Sequence, residues 1–335
     1  MPGRALLLRG MKSDLFGRLL RLLEGADAGR PALLPVLTYH RVAEENEMTG
    51  YPGLISASPR QFDEQMAFLA RHRHVISAEE LLEIREGNRR PKAGSVMVTF
   101  DDAYRDFAEQ AWPVLRRRGL PVTLFVPTAW PGRPDRGFWW DWLHAALQSA
   151  SIGSILTTPA GSARITSDDD RSAVFRALRS QIKSRNHDEA MALVADVAER
   201  QLGVPPPAGS VLDWPALRAL AAEGVTLAPH SREHPLLDRI PEDRLDGELA
   251  GSRQDLQREI RFVPPVLAYP SGASSSNVRD AVARAGYRVA FTTRRGINDL
   301  AHADWLGLRR INVGRSSSLN AVRAQLGSWA VMWSR

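Results

Sequence analysis

From Pro31 onward, short apolar runs alternate with amphipathic segments, and several of the runs end in polar or reactive residues. "LLPVLTYH" (33–40), "VMVTF" (96–100), "PVTLFVPT" (121–128), "VTLAPH" (225–230), "PVLAYP" (265–270), "RVAFTT" (288–293) and "LRRINV" (308–313) read as strands. Helical segments lie between them. In "SPRQFDEQMAFLARH", Ser58 caps, Pro59 suits the first turn, and Phe62, Met66 and Leu69 recur at helical spacing. "DWPALRALAAEG" begins at an Asp213 cap beside Trp214, and "RDFAEQAWPVLRRRGL" stops at Gly119. Strand–helix alternation of this kind predicts a mostly parallel α/β sheet or barrel. Such folds collect their chemistry at the C-terminal ends of the strands. His40, Asp101, Asp102, His230, the stretch from Tyr269 to Gly272, Arg309 and Arg310 are thereby expected on one rim.

The alternation breaks once. Residues 131–212 read as a mostly helical insertion, with an aromatic helix carrying Phe138, Trp139, Trp140 and Trp142. A Ser/Thr/Gly-rich loop over about 150–167, two amphipathic helices near 168–184 and 187–201, and the linker "GVPPPAGS" complete it. The tryptophans either dock the helix or offer faces on which a sugar ring stacks. Three segments follow for the 335-residue chain: an amphipathic N-terminal helical segment (1–30), a barrel with its insertion (31–320) and a C-terminal helical tail (321–335).

Composition narrows the chemistry. There is no cysteine, so disulfides and thiolate metal sites are excluded, and any metal must be held by His, Asp or Glu. The formal net charge is +6, which suits an anionic partner, but the arginines are scattered and no nucleic-acid fingerprint is present. The apolar patch from Ala5 to Leu8 is shorter than the roughly 7–15 residues of a signal-peptide core. A cytoplasmic protein is the resulting expectation. The helix "MKSDLFGRLLRLLEG" either packs on the domain or lies on an anionic membrane surface.

Two motifs stand out. In "VMVTFDDAYRD" two adjacent carboxylates, Asp101 and Asp102, end an apolar strand, where mutual repulsion and lost hydration both oppose them. In "APHSREHP", His230 and His234 are spaced i, i+4, which sets both imidazoles on one side of a helical turn. Two imidazoles and one carboxylate form a facial set for a divalent ion. One aspartate can then ligate while the other stays free as a base, held ionised by the cation. The alternatives are histidines capping a turn and an Asp102 helix cap.

"TFDDAY", "HSREH" and "AYPSG", in this order, resemble the polysaccharide deacetylase family, the NodB-homology carbohydrate esterases. "LTYHRV" is similar to the opening strand of one branch found with bacterial surface-polysaccharide genes. The resemblance covers about 33–130 and 212–315. It implies an α/β fold, a distorted (β/α) barrel, that uses a divalent metal, commonly zinc, to hydrolyse acetyl groups on carbohydrate. By position it implies Asp101 as catalytic base and Asp102, His230 and His234 as metal ligands. Ser271 would supply a backbone N–H to the oxyanion, with Tyr269 and Pro270 near the substrate. Trp139 and Trp140 lie outside the resemblance and are substrate candidates only as faces for a sugar ring.

Three departures accompany the resemblance. Ala103 replaces a usual Gly, which costs about 1 kcal/mol or more where φ is positive. Ala268 stands where an Arg often pairs with the base, and "LRR" replaces Leu-x-His, so the motif histidine that acts as general acid is absent. Arg310 is a candidate partner for Asp101. His40, His302 or Asp101 itself are candidates to return the proton. The expected function is removal of acetyl groups, N-acetyl before O-acetyl, from an amino-sugar glycan or its lipid- or nucleotide-linked precursor at the inner face of the membrane. The competing readings are an inactive glycan-binding protein on this scaffold and a hydrolase of another C–N bond.

Overall fold

The computed structural model describes residues 32–46, 48–133, 135–159 and 161–327, together with 17, 18 and 20. Apart from those three positions, the expected N-terminal segment lies outside the described residues, as does 328–335 of the expected tail. One eight-stranded sheet organises the rest. Its strands are β1 (Val36–Tyr39), β2 (His74–Ile76), β3 (Ser95–Phe100), β4 (Thr123–Val126), β5 (Thr226–Pro229), β6 (Val266–Ala268), β7 (Val289–Arg295) and β8 (Leu308–Asn312). They run in the order β5-β4-β3-β1-β8-β7-β6, with β2 beside the first half of β3. Every pairing is parallel.

The sheet curls into a distorted (β/α) barrel that stays unladdered between β5 and β6. His230, one residue past β5, reaches across that seam, its Nδ1 lying 2.7 Å from the carbonyl of Ala268. Around the barrel lie α1 (Pro59–His72), α2 (Ala78–Arg85), α3 (Trp112–Arg117), α4 (Trp139–Ser149), α5 (Asp168–Ser184), α6 (His187–Ala195), α7 (Trp214–Ala222), α8 (Glu242–Glu259), α9 (Ser276–Arg284) and α10 (Leu319–Leu326). Their starts follow the chain's capping residues. Ser58 and Gln61 form a reciprocal capping box, and Asp213 accepts from the Ala216 N–H. No helix among the described residues is long and apolar enough to cross a membrane.

Alternation along each strand decides what enters the barrel. Val36, Met97, Phe125, Ala228, Ala268, Phe291 and Leu308 bury together in the lumen. The Phe125 and Phe291 ring centroids are 5.7 Å apart. Side chains of the other parity face the helices: Leu37, Val98 and Leu124 meet Phe62, Met66 and Leu217, while Leu267 and Ala290 meet Leu249 and Val282. His40, Asp101, His230 and Arg310 share the parity of the lumen set; the first three directly follow their strands, and Arg310 lies in the middle of β8. That is how one rim receives them.

The insertion is helical where expected, through α4, α5, α6 and a π-helical extension over Asp196–Gln201. The loop expected over 150–167 instead contains an antiparallel hairpin, Ile155–Thr158 with Gly161–Arg164. Its β-branched Ile155, Thr157 and Thr158 favour an extended backbone. The insertion docks through polar groups as well as apolar ones. Asp141 accepts from the Tyr51 N–H at 2.7 Å and from the Tyr104 hydroxyl at 2.8 Å. Trp140 donates to that hydroxyl at 2.7 Å.

Candidate active site

Five non-glycine residues among those described have positive φ: Asp102 (72°), Ala103 (51°), Ser231 (60°), His234 (59°) and Ser271 (52°). All five belong to the turns that follow β3, β5 and β6. A left-handed L-residue costs roughly 1–2 kcal/mol, so such a cluster persists only where surrounding contacts over-determine it. Those contacts are present. The Ala103 carbonyl accepts from Leu212 at 2.9 Å, and Arg105 N–H donates to Ser210 at 2.9 Å. The Ser231 hydroxyl accepts from the His234 N–H at 3.1 Å. Buried Glu248 of α8 accepts from the N–H groups of Arg232 and Glu233 at 2.9 and 3.0 Å.

The two adjacent carboxylates end in different surroundings. Asp101 receives a forked pair from Arg310, with Nη1–Oδ1 and Nη2–Oδ2 both 2.8 Å, while Arg310 Nε donates to the Thr292 carbonyl at 2.9 Å. Burial alone would raise the Asp101 pKa. The Arg310 guanidinium, joined by His230 and His40, outweighs it and holds the carboxyl well below its usual range. Asp102 is also buried, and there the histidines, His234 foremost, overcome burial and lower the pKa. Its Oδ1 has no hydrogen-bond partner of ordinary geometry. His234 Nε2 lies 3.3 Å from that oxygen and His230 Nε2 3.5 Å.

Three donor atoms, one each from Asp102, His230 and His234, lie within 4.8 Å of one another. Because His230 Nδ1 faces the Ala268 carbonyl, that nitrogen carries the proton and Nε2 turns a lone pair toward Asp102. Burial first of all pushes the His230 pKa down to about 4, so the ring is neutral at pH 7, as a metal ligand must be. An orphaned carboxylate oxygen facing two imidazole nitrogens is a donor set that fits a divalent cation.

These groups open onto a cavity of about 390 Å³ that also meets His40, Trp139, Trp140, Arg179 and Lys183. His40 Nε2 is 4.0 Å from Asp101 Oδ2. Ser271 lies at the rim, its hydroxyl 3.3 Å from Lys183 Nζ. Trp140 meets His234 edge-on at 5.2 Å, so it walls the site while docking its helix. Two expectations are corrected. Tyr269 and Pro270 do not reach the cavity: Tyr269 has the outward parity of β6, packs against Leu245 and Val278, and donates to the Leu306 carbonyl at 2.9 Å. His302, its side chain 84 % exposed, pairs with Asp299 away from the cavity. Sequence reasoning missed Glu248, Arg179 and Lys183. Glu248 left a trace: a carboxylate in the buried stripe of Leu245, Leu249 and Leu256.

The sequence profile of the family described as polysaccharide deacetylase matches residues 88–150 and 156–290. The Bacillus subtilis protein YxkH, whose name places it among polysaccharide deacetylases, is 19 % identical over 300 residues, covering 89 % of this chain and 78 % of its own. A poly-β-1,6-N-acetyl-D-glucosamine N-deacetylase of Staphylococcus epidermidis is 28 % identical over 102 residues, 28 % of this chain and 35 % of that protein. In structure, the Streptococcus pyogenes deacetylase PplD superimposes with a TM-score of 0.59 at 19 % identity, covering 89 % of this chain and 99 % of that one. IcaB from Ammonifex degensii gives 0.58 at 18 %, with 88 % and 97 % coverage. At these identities the superpositions establish the shared fold.

Two consequences are measurable. Ala103→Gly relieves the backbone at φ 51° and is expected to stabilise the protein by about 0.5–1 kcal/mol, raising its melting midpoint by about 1 °C. The metal-free protein is expected to lose stability as pH falls from 6.5 toward 4. Over that window the unfolded chain takes up a proton that folded His230 refuses. Denaturant titrations at several pH values should show this slope, and His230→Gln should flatten it.

Proposed function

Because this chain belongs to the polysaccharide deacetylase family, as a hydrolase of the amide bonds of acetylated glycans, we propose that it removes N-acetyl groups from an amino-sugar glycan or its lipid- or nucleotide-linked precursor. The observation that carries this reading is the pairing of unlike carboxylates. Asp102 leaves an orphaned oxygen facing two imidazoles, and Asp101 beside it is held ionised by Arg310. The family resemblance to N-acetylglucosamine deacetylases supports the amide over the ester.

In this reading Asp102, His230 and His234 hold a divalent metal, with zinc the expected ion. When bound, it supplies Lewis acidity toward a water and the acetyl carbonyl. Asp101 takes the proton from the attacking water. Arg310 orients that carboxylate and keeps it ionised in a lumen where burial would otherwise protonate it. The backbone N–H of Ser271 is the proposed donor to the developing oxyanion. His40, facing Asp101 across 4.0 Å, returns a proton to the departing amine. Trp139 and Trp140 flank the sugar. The +6 surplus supports a phosphate-bearing precursor, met in the cytoplasm by an enzyme in peripheral contact with the inner face of the membrane.

Zinc-loaded protein is expected to release acetate from N-acetylated glucosamine oligomers or from phosphate-linked N-acetylglucosamine. Asp101→Asn should lower kcat/KM by about 10²–10⁴-fold while metal content holds. His234→Ala should lose metal and activity together, read by metal analysis beside acetate release. Fully loaded protein that frees no acetate from either substrate class would sink the proposal.

A further inference from the structure

α5 carries Phe175, Arg179 and Lys183 at successive i, i+4 positions, so the three side chains share one face of the helix. Phe175 anchors that face, stacked on Tyr51 with ring centroids 4.3 Å apart. Tyr51, Arg179 and Lys183 all line the catalytic cavity. Lys183 Nζ contacts the Ser271 hydroxyl at 3.3 Å. Neither cation has a carboxylate partner among the described residues. Three nearby arginines differ in this: Arg310 holds Asp101, Arg136 holds Glu233 at 3.1 Å, and Arg239 approaches Asp238 at 3.8 Å. Arg185, on the adjoining wall, bonds to Gln181 at 2.7 Å instead. Like charges four residues apart on a helix repel. Burial, with Arg179 adding to it, also lowers the Lys183 pKa. An anion between them would relieve both costs.

A second observation gives the anion its neighbour. A cavity of about 150 Å³, mostly apolar but edged by Arg136, Arg185, Glu233 and Arg239, adjoins the catalytic one and shares Trp139, Lys183, His234 and Ser271 with it. Phe138, Trp142, Ile182 and Met191 wall it. Lys183 therefore stands where a polar, metal-fitted cavity meets a mostly apolar one.

We infer that Arg179 and Lys183 form a subsite for a phosphate group carried by the acetylated sugar, beside an aromatic cavity that accepts an apolar group attached to that phosphate. This rests on the deacetylase reading above. The test compares acetate release from N-acetylglucosamine, N-acetylglucosamine 1-phosphate and a short polyprenyl-phosphate N-acetylglucosamine, alongside tryptophan-fluorescence titration with each. The wild type should show a KM about tenfold or more lower for the phosphorylated sugar than for the neutral one. Raising salt from about 0.05 to about 0.5 M should shrink that difference. In Arg179→Ala/Lys183→Ala the ratio of the two KM values should approach one, while Lys183→Arg keeps the preference. Thermal melting checks that the double variant is folded.

Tighter binding of the polyprenyl compound, lost in Trp142→Ala, identifies a lipid-linked phosphate. Equal binding identifies a free sugar phosphate and removes the apolar half of the inference. A wild-type ratio near one, or a ratio unchanged in the double variant, overturns the subsite. If no compound yields acetate, the deacetylase reading fails, and the titrations alone decide the subsite by the same ratios.

Discussion

A guanidinium inside the barrel is the constraint around which the site is arranged. Arg310 is 2 % exposed and has the parity of Leu308, so its side chain enters a lumen filled by Phe125 and Phe291. A cation there is tolerable only when every donor finds an acceptor of matching geometry. Thr292 supplies a carbonyl and Asp101 both carboxylate oxygens. The pair settles two matters at once. Asp101 cannot swing toward the histidines without abandoning the buried cation, so it remains an ionised carboxylate paired with Arg310 rather than a member of the donor set. Asp102, turned aside by a backbone at φ 72°, is left to face His230 and His234. The nonequivalence of two adjacent aspartates is thus a consequence of strand parity and one buried arginine.

β6 and β8 both flank β7, and positions 268 and 310 both have the parity of the lumen set. Ala268 is level with Phe291 of β7, whereas Arg310 is level with Arg295, so the two stand at different heights in the barrel. It is the higher position, Arg310, that meets Asp101 through both carboxylate oxygens.

Much of this was legible in the sequence, for identifiable reasons. Apolar runs and capping residues encode local geometry, and they located the strands, the helices and the rim. The helical turn expected from the His230–His234 spacing is absent: Ser231 and His234 are left-handed, at φ 60° and 59°, and the two rings meet across an irregular turn. Parity is legible too: Tyr269 sits inside the AYPSG motif, but its alternation with lumen-facing Ala268 turns it outward. The hairpin over Ile155–Arg164 was masked by its Ser, Thr and Gly content, because extended structure there rests on tertiary packing of Leu156 and Ile165. Arg179 and Lys183 gave no local signal. A basic residue on a helix reads as solvated unless the fold of a distant segment places a cavity against it.

The insertion is therefore part of the site in a mechanical sense. Its returning chain, at Ser210 and Leu212, hydrogen-bonds to Ala103 within the turn and to Arg105 just after it. Its first helix presses Trp140 against His234 and ties Asp141 to Tyr104, the residue next to that turn. Burial first of all raises the Asp141 pKa to about 6, a sign of how little solvent reaches this junction. The left-handed Ala103 is affordable because the insertion clamps it from outside while the barrel holds Asp101 from below. Loosening the insertion would thus disturb the metal-fitted set before it disturbed the barrel. The residues that would hold the metal belong to the barrel, but their precision depends on the insertion.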